Sequence, residues 1–241
     1  GGGGSGVVYF ISTLNHVTRV GYNCSCRAVF CNRSDYSCHN FLSFGNGGNI
    51  AATASYGMES NSYNADISVA GLDIAGIMPS IPLQTITLKL KAEGEGIDLF
   101  SGDTRYNVEL GIDTVSYDKY KLNDIALTAS QENHLSDIEI KSNAEYLKFL
   151  IKARTTLDST FVSNSTEIEL PKADFMMLRL TDAELGTALN LKLEASTDMK
   201  EKHAVKLSGR EMKLITAQRT FTPADIEIDL STSPQYSYIK A

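Results

Sequence analysis

From Ile50 onward the apolar residues of this chain fall at every second position, and this alternation constrains the fold more than any other feature. The series runs through Ile67 and Val69, then Ile86, Leu88, Leu90 and Ala92, then Val108, Leu110 and Ile112. It continues through Ile125, Leu127 and Ala129, Ile138 and Ile140, and Leu147, Phe149, Ile151 and Ala153. It closes with Ile168 and Leu170, Leu189, Leu191, Leu193 and Ala195, Val205 and Leu207, Met212 and Leu214, and Ile226, Ile228 and Leu230. A strand repeats every two residues, so each such segment reads as a strand with one apolar face. Between them stand Thr85, Thr87, Lys89 and Lys91, or Asp137, Glu139 and Lys141, which belong in water. Turn residues at Gly94 to Gly96, Ser101 to Asp103, Gln131 to Asn133 and Thr197 to Lys202 separate the segments at hairpin spacing. The pattern predicts about ten to twelve antiparallel strands. Helix signals are confined to Leu72–Met78 before Pro79 and to Ala173–Leu185, each a turn or a short helix.

Under the strands lies a longer repeat. Leu88-Lys89-Leu90-Lys91-Ala92 returns as Leu191-Lys192-Leu193-Glu194-Ala195, and Asn107-Val108-Glu109-Leu110 as Ala204-Val205-Lys206-Leu207. Asn123 to Thr128 returns as Ala224 to Asp229, the offsets running from about 97 to 103 residues. This points to a diverged duplication of a several-strand module, with copies over about 50–156 and 157–241.

Composition changes near residue 45. Cys24, Cys26, Cys31 and Cys38 all precede it, the opening GGGGSG reads as a flexible linker, and no sustained period crosses residues 7 to 44. Three readings of the cysteines stand open. A zinc site with His39 suffers from the tight Cys24-x-Cys26 spacing, and a disulfide cluster allows three connectivities. The third, best supported reading is a poorly ordered or foreign leader over 1–44 whose cysteines share no task, followed by the β region 45–241. Glycosylation acceptor triplets begin at Asn23, Asn32 and Asn164.

Several functions are excluded or disfavoured. The chain has 241 residues with a net charge of -7 and no run of eighteen apolar residues, which argues against nucleic acid as a partner and against a membrane-spanning helix in this segment. No nucleophile elbow, P-loop, zinc-protease motif or dinucleotide fingerprint occurs, so the expectation is a protein that is not an enzyme, without cofactor, metal or catalytic residue. His134 and His203 sit in turns, where a histidine is usually only solvated.

A long sheet with one apolar face must cover that face with a second sheet, close into a barrel, or fold over on itself and leave a groove. The expected fold class is therefore all-β, a long antiparallel sheet with one apolar face, U-shaped or open as a groove, with a β-sandwich as the alternative. Inward residues would then line a trough, foremost Ile67, Val69, Leu88, Leu90, Val108, Leu110, Ile125, Leu127, Phe149, Ile151, Leu191, Leu193, Ile226 and Ile228.

The passages "GGNIAATASYGMESNSYNADISVAGLDIAGIMP", "LKLKAEGEGIDLFSGDTRYNVELGIDTVSYDKYKLNDIALTAS" and "IEIKSNAEYLKFLIKAR" resemble the periplasmic repeat region of the TamB family, of the AsmA-like group, in its Bacteroidetes form. Gly96, Asp98, Tyr117, Tyr120, Asn123, Asp124, Ile125 and Leu127 stand where that pattern has a Gly-rich link with an acidic residue, a Tyr-x-x-Tyr turn and an N-[DL]-[IL]-x-L strand. The resemblance covers residues 45 to the end and not residues 1–44. It implies a periplasmic β structure, anchored in the inner membrane through a segment outside this one, with a taco-like apolar groove. It further implies phospholipid acyl chains and an outer-membrane barrel assembly protein as partners, in lipid transport and outer-membrane protein assembly. A structural or adhesive envelope sandwich with a filled core is the alternative, and a carbohydrate-active sandwich ranks last because tryptophan is absent.

Overall fold

The computed structural model describes residues 23–31, 35–43, 48–77, 80, 83–117 and 120–240. The described residues form two compact units, those up to residue 97 with those of 106–121, and those of 98–105 with those from 122 on.

In the first unit β1 (Asn23–Cys31), β2 (Asp35–Ser43), β3 (Asn49–Gly57), β4 (Ser62–Asp73) and β5 (Leu83–Glu95) lie in chain order, each antiparallel to the one before. β6 (Arg105–Tyr117) stands next to β5. Among the described residues the one helical turn, α1 (Ile74–Ile77), falls where Leu72–Met78 predicted a turn or short helix. In the second unit β7 (Tyr120–Glu132), β8 (Leu135–Ala144), β9 (Leu147–Asp158), β10 (Phe161–Asp174), β11 (Leu185–Thr197), β12 (His203–Thr216), β14 (Ile226–Thr232) and β15 (Ser237–Lys240) again follow chain order. The two-residue β13 (Thr220–Phe221) pairs with the end of β12. Residues 175–179, between β10 and β11, are turns rather than a helix.

The fold class is all-β, as the alternation requires, and both units are open antiparallel sheets, not closed into a barrel. The sandwich alternative needs a second layer and a filled core. Among the described residues the buried apolar side chains are only Val69, Leu72, Ala144, Ala173 and Leu178. The sheet also reaches further toward the N-terminus than the composition implied. β2 pairs with β3 from Asp35↔Gly57 to Ser43↔Asn49, so the break near residue 45 is not a break in strand pairing. The cysteine side chains and the GGGGSG opening lie outside the described residues. The chain passes between the two units after residues 97, 105 and 121. The repeated segments nonetheless occupy strands in corresponding order, β5, β6 and β7 against β11, β12 and β14.

Strict alternation fails at several places in the sequence, and at four of them the strand backbone is irregular. Between Val69 and Leu72 the register of β4 on β5 slips by one residue, with Gly71 in the left-handed region at φ 57°. β10 slips against both neighbours around Pro171, whose missing N–H suits a position outside the ladder. β12 slips between Arg210 and Lys213 with Glu211 at φ 53°, and Asp124 takes φ 61° where β7 passes from Leu122 to Ile125. The last three lie at the end of the second unit opposite the Asn133–His134 hairpin. That hairpin has two turn residues, both at positive φ (50° and 65°), the twist that suits antiparallel partners.

Candidate functional site

In the second unit the register aligns the apolar residues in rows. Leu127, Ile140, Ile151, Ile168, Leu191, Gly209 and Ile226 are successive partners from β7 to β14. The adjoining row is Ala129, Ile138, Ala153, Thr166, Leu193, Leu207 and Ile228. Ile125, Ser142 and Phe149 begin a third, in which Ser142 is buried and its hydroxyl donates to the Asn123 carbonyl at 3.4 Å. In the first unit Ile50, Val69 and Leu88 form one row, and Ala52, Ile67 and Leu90 another. Val108 and Leu110 lie on β6, next to β5.

The register thus sets the expected residues of β4 and β5, and those of β7 to β14, in shared rows within their units, while Val108 and Leu110 are placed only on the neighbouring strand. Val69 is buried, Ile226 is exposed at the end of its row, and the other twelve are half-buried. Half-burial is the physical point. A row of Leu and Ile on a packed sheet is almost fully covered, whereas within each unit these side chains are shielded by their cross-strand neighbours and not by a second layer. The sequence reading left out Ile138, Ile140, Ile168 and Leu207, which complete the rows. Their alternation was visible, but their place in a shared row depends on register.

The opposite face carries charges that alternate in sign across the strands. Glu139, Lys152, Glu167 and Lys192 are successive partners, and in the first unit Asp66 pairs with Lys91. Arg154 Nε donates to Asp137 Oδ1 at 2.7 Å, and that hydrogen bond raises the pKa of the guanidinium above its ordinary value. Lys192 and Glu194 are 2.9 Å apart, which raises the lysine and lowers the glutamate. These pairs stand in water and contribute little stability individually; their effect is to set register and keep this face wet.

At the hairpin end of the second unit the apolar face turns polar without becoming charged. Gln131, Ser136, Thr155 and Asn164 are partners in one row, next to Thr166 in the row above. The Asn164 amide donates to Thr155 Oγ1 at 2.8 Å, and the Thr166 hydroxyl donates to Asn164 Oδ1 at 2.7 Å. Asn164 therefore has its amide oxygen and one amide hydrogen engaged inside a strand. The segment 98–105 closes over the β7 end of this row. Gln131 Nε2 donates to the Leu99 carbonyl at 2.8 Å, and Gln131, Ser136 and Thr104 are 2%, 3% and 2% exposed. His134 packs against Gly102 and its Nδ1 lies 3.0 Å from the Leu157 carbonyl. Sequence reasoning passed over these residues, although polar residues at inward positions of a period-two strand were the signal.

At the β6–β7 connection Tyr117 closes one strand and Tyr120 opens the next. Among the described residues no group of three or more His, Cys, Asp or Glu is placed to hold a metal ion, and no helix is long and apolar enough to cross a membrane. No known protein family, characterised protein or solved structure matches this chain.

Proposed function

We propose that the chain is a non-enzymatic segment of a cell-envelope protein whose open apolar sheet face carries phospholipid acyl chains, supporting lipid transport between membranes and outer-membrane protein assembly. The observation that carries this reading is the half-buried row Leu127–Ile140–Ile151–Ile168–Leu191, apolar on every strand it crosses and uncovered by a second layer within its unit. Apolar surface left in water costs about 25 cal/mol per Å², so a continuous face of this kind calls for an apolar occupant. An acyl chain fits because it needs continuity and no directional contact. The alternating charges of the other face keep the loaded segment in water. A periplasmic location and a barrel partner rest on the resemblance of residues 45–241 to the TamB repeat region.

The experiment is lipid extraction from the purified full chain followed by mass spectrometry. Phospholipid is expected with the wild type, and about tenfold less with Leu127→Asp or Leu191→Asp, because each sets a carboxylate in the row where it must desolvate against the ligand. Unchanged lipid content in both variants would overturn the reading.

A further inference from the structure

The uncharged polar row near the hairpin end gives the apolar face a direction. On β10 the inward series reads Asn164, Thr166, Ile168 and Leu170, and on β9 it reads Thr155, Ala153, Ile151 and Phe149. From Asn164 to Leu170 is about 20 Å at about 3.3 Å per residue. One leaflet of a bilayer has a hydrocarbon depth of about 15 Å, half the whole core. A polar end and an apolar run of that length describe an amphiphile lying along the strands.

The chemistry of the polar end is specific. Asn164 has given one amide hydrogen to Thr155 and accepts the Thr166 hydroxyl on its oxygen. This leaves the second amide hydrogen of Asn164 and the hydroxyl hydrogen of Thr155 as donors. Thr166 acts by fixing which end of the Asn164 amide is oxygen. Asn164, Thr155 and Thr166 are half-buried, and the charged residues nearest to them along these strands, Lys152, Arg154, Glu167 and Glu169, alternate onto the opposite face. The site thus offers neutral donors and no cation, which suits an ester carbonyl and not a phosphate. On the β7 side the segment 98–105 closes the row, so the open part is β9 and β10.

We infer that Thr155 and Asn164, oriented by Thr166, form a donor pair that holds the ester carbonyls of an acylglycerol, with its acyl chain laid along the strands over Ile151 and Ile168. This rests on the apolar face being an acyl-chain surface and adds to it a ligand orientation and a chemical selectivity.

The test compares binding of 1-palmitoylglycerol with that of its ether analogue 1-hexadecylglycerol, which has a similar chain and hydroxyls but no carbonyl, to the full chain. The ester is expected to bind about tenfold more tightly than the ether, the worth of two ordinary hydrogen bonds. In the double variant Thr155→Val with Asn164→Leu the ratio is expected to fall to about one, and continued ether binding reports that the face is intact. Should the double variant bind neither probe, Thr155→Val against Thr155→Ser decides, only the serine keeping a preference for the ester; equal ratios there overturn the inference. Equal binding of ester and ether by the wild type overturns it while leaving the acyl-chain face standing. Failure of the wild type to bind either probe overturns both.

Discussion

Gly71 shows how much of the apolar face hangs on single residues. It takes φ 57°, a region costly for any side chain, at the place where β4 must gain one residue on β5. Its neighbours Val69 and Leu72, 9% and 4% exposed, are two of the few buried apolar side chains, and they share a face only because of the slip. Gly48 reinforces the site: a Cβ there would stand 2.7 Å from the Leu72 Cα. Gly71→Ala is therefore expected to lower stability by about 1 kcal/mol, measured as the shift of the urea midpoint at constant slope. Gly111→Ala, where a Cβ meets nothing within 4 Å and φ is not positive, is expected to raise stability by about 0.5 kcal/mol in the same assay. The slips themselves were legible, since Val205 and Leu207 give way to Met212 and Leu214. That Glu211 would absorb one was not, because the residue owes its place to tertiary contact, its Oε2 accepting from Asn190 at 2.7 Å.

At the scale of elements, strands were legible and their ends were set by side chains that tie down turns. Asp198 Oδ1 accepts the backbone N–H groups of Lys202, Lys200 and Glu201 at 2.8, 3.0 and 3.0 Å, knitting the β11–β12 connection. These bonds, that from Lys202 foremost, hold its pKa below the ordinary aspartate value. Asp158 is lowered likewise, first by the Thr160 hydroxyl and then by the Thr160 N–H. A depressed carboxylate adds stability that is present above the unfolded pKa, about 4, and is lost as pH falls through the folded value. Amide protection at Lys200, Glu201 and Lys202 is therefore expected to decline below about pH 4, ahead of that at Ile138 and Ile140, and Asp198→Ala is expected to abolish the pH response locally. β1 and β2 escaped the sequence reading because residues 7 to 44 lack alternation; β2 is added to the edge of β3 and β1 to the edge of β2 by backbone pairing, which imposes no side-chain pattern on the sequence.

For the molecule as a whole, the decisive quantity is how little apolar surface folding hides. A chain of 241 residues with an ordinary filled core would unfold with a heat-capacity change of about 3 kcal/mol/K. Here the rows are only half-buried within each unit, so less apolar surface is newly exposed on unfolding. The calorimetric heat-capacity change of the lipid-free chain is expected to fall clearly below that figure, and a value at or above it would mean the face is covered in solution. Lipid loading is expected to raise it, since the unfolded chain would then expose surface that the ligand had covered.

Alternation settled the class of fold and the composition of each face, because side chains on a pleated strand have no choice but to point to opposite sides. It did not settle whether a second layer would cover the apolar face, since a sandwich and a bare sheet use the same strands. Register decided which apolar residues meet: Leu127, Ile151 and Leu191 stand far apart in the chain, and only antiparallel pairing sets them in one row. The same register gathered Thr155, Asn164 and Thr166 into one hydrogen-bonded cluster. Each looks like an ordinary strand residue on its own, and the cluster exists only where neighbouring strands bring the three side chains within hydrogen-bonding reach.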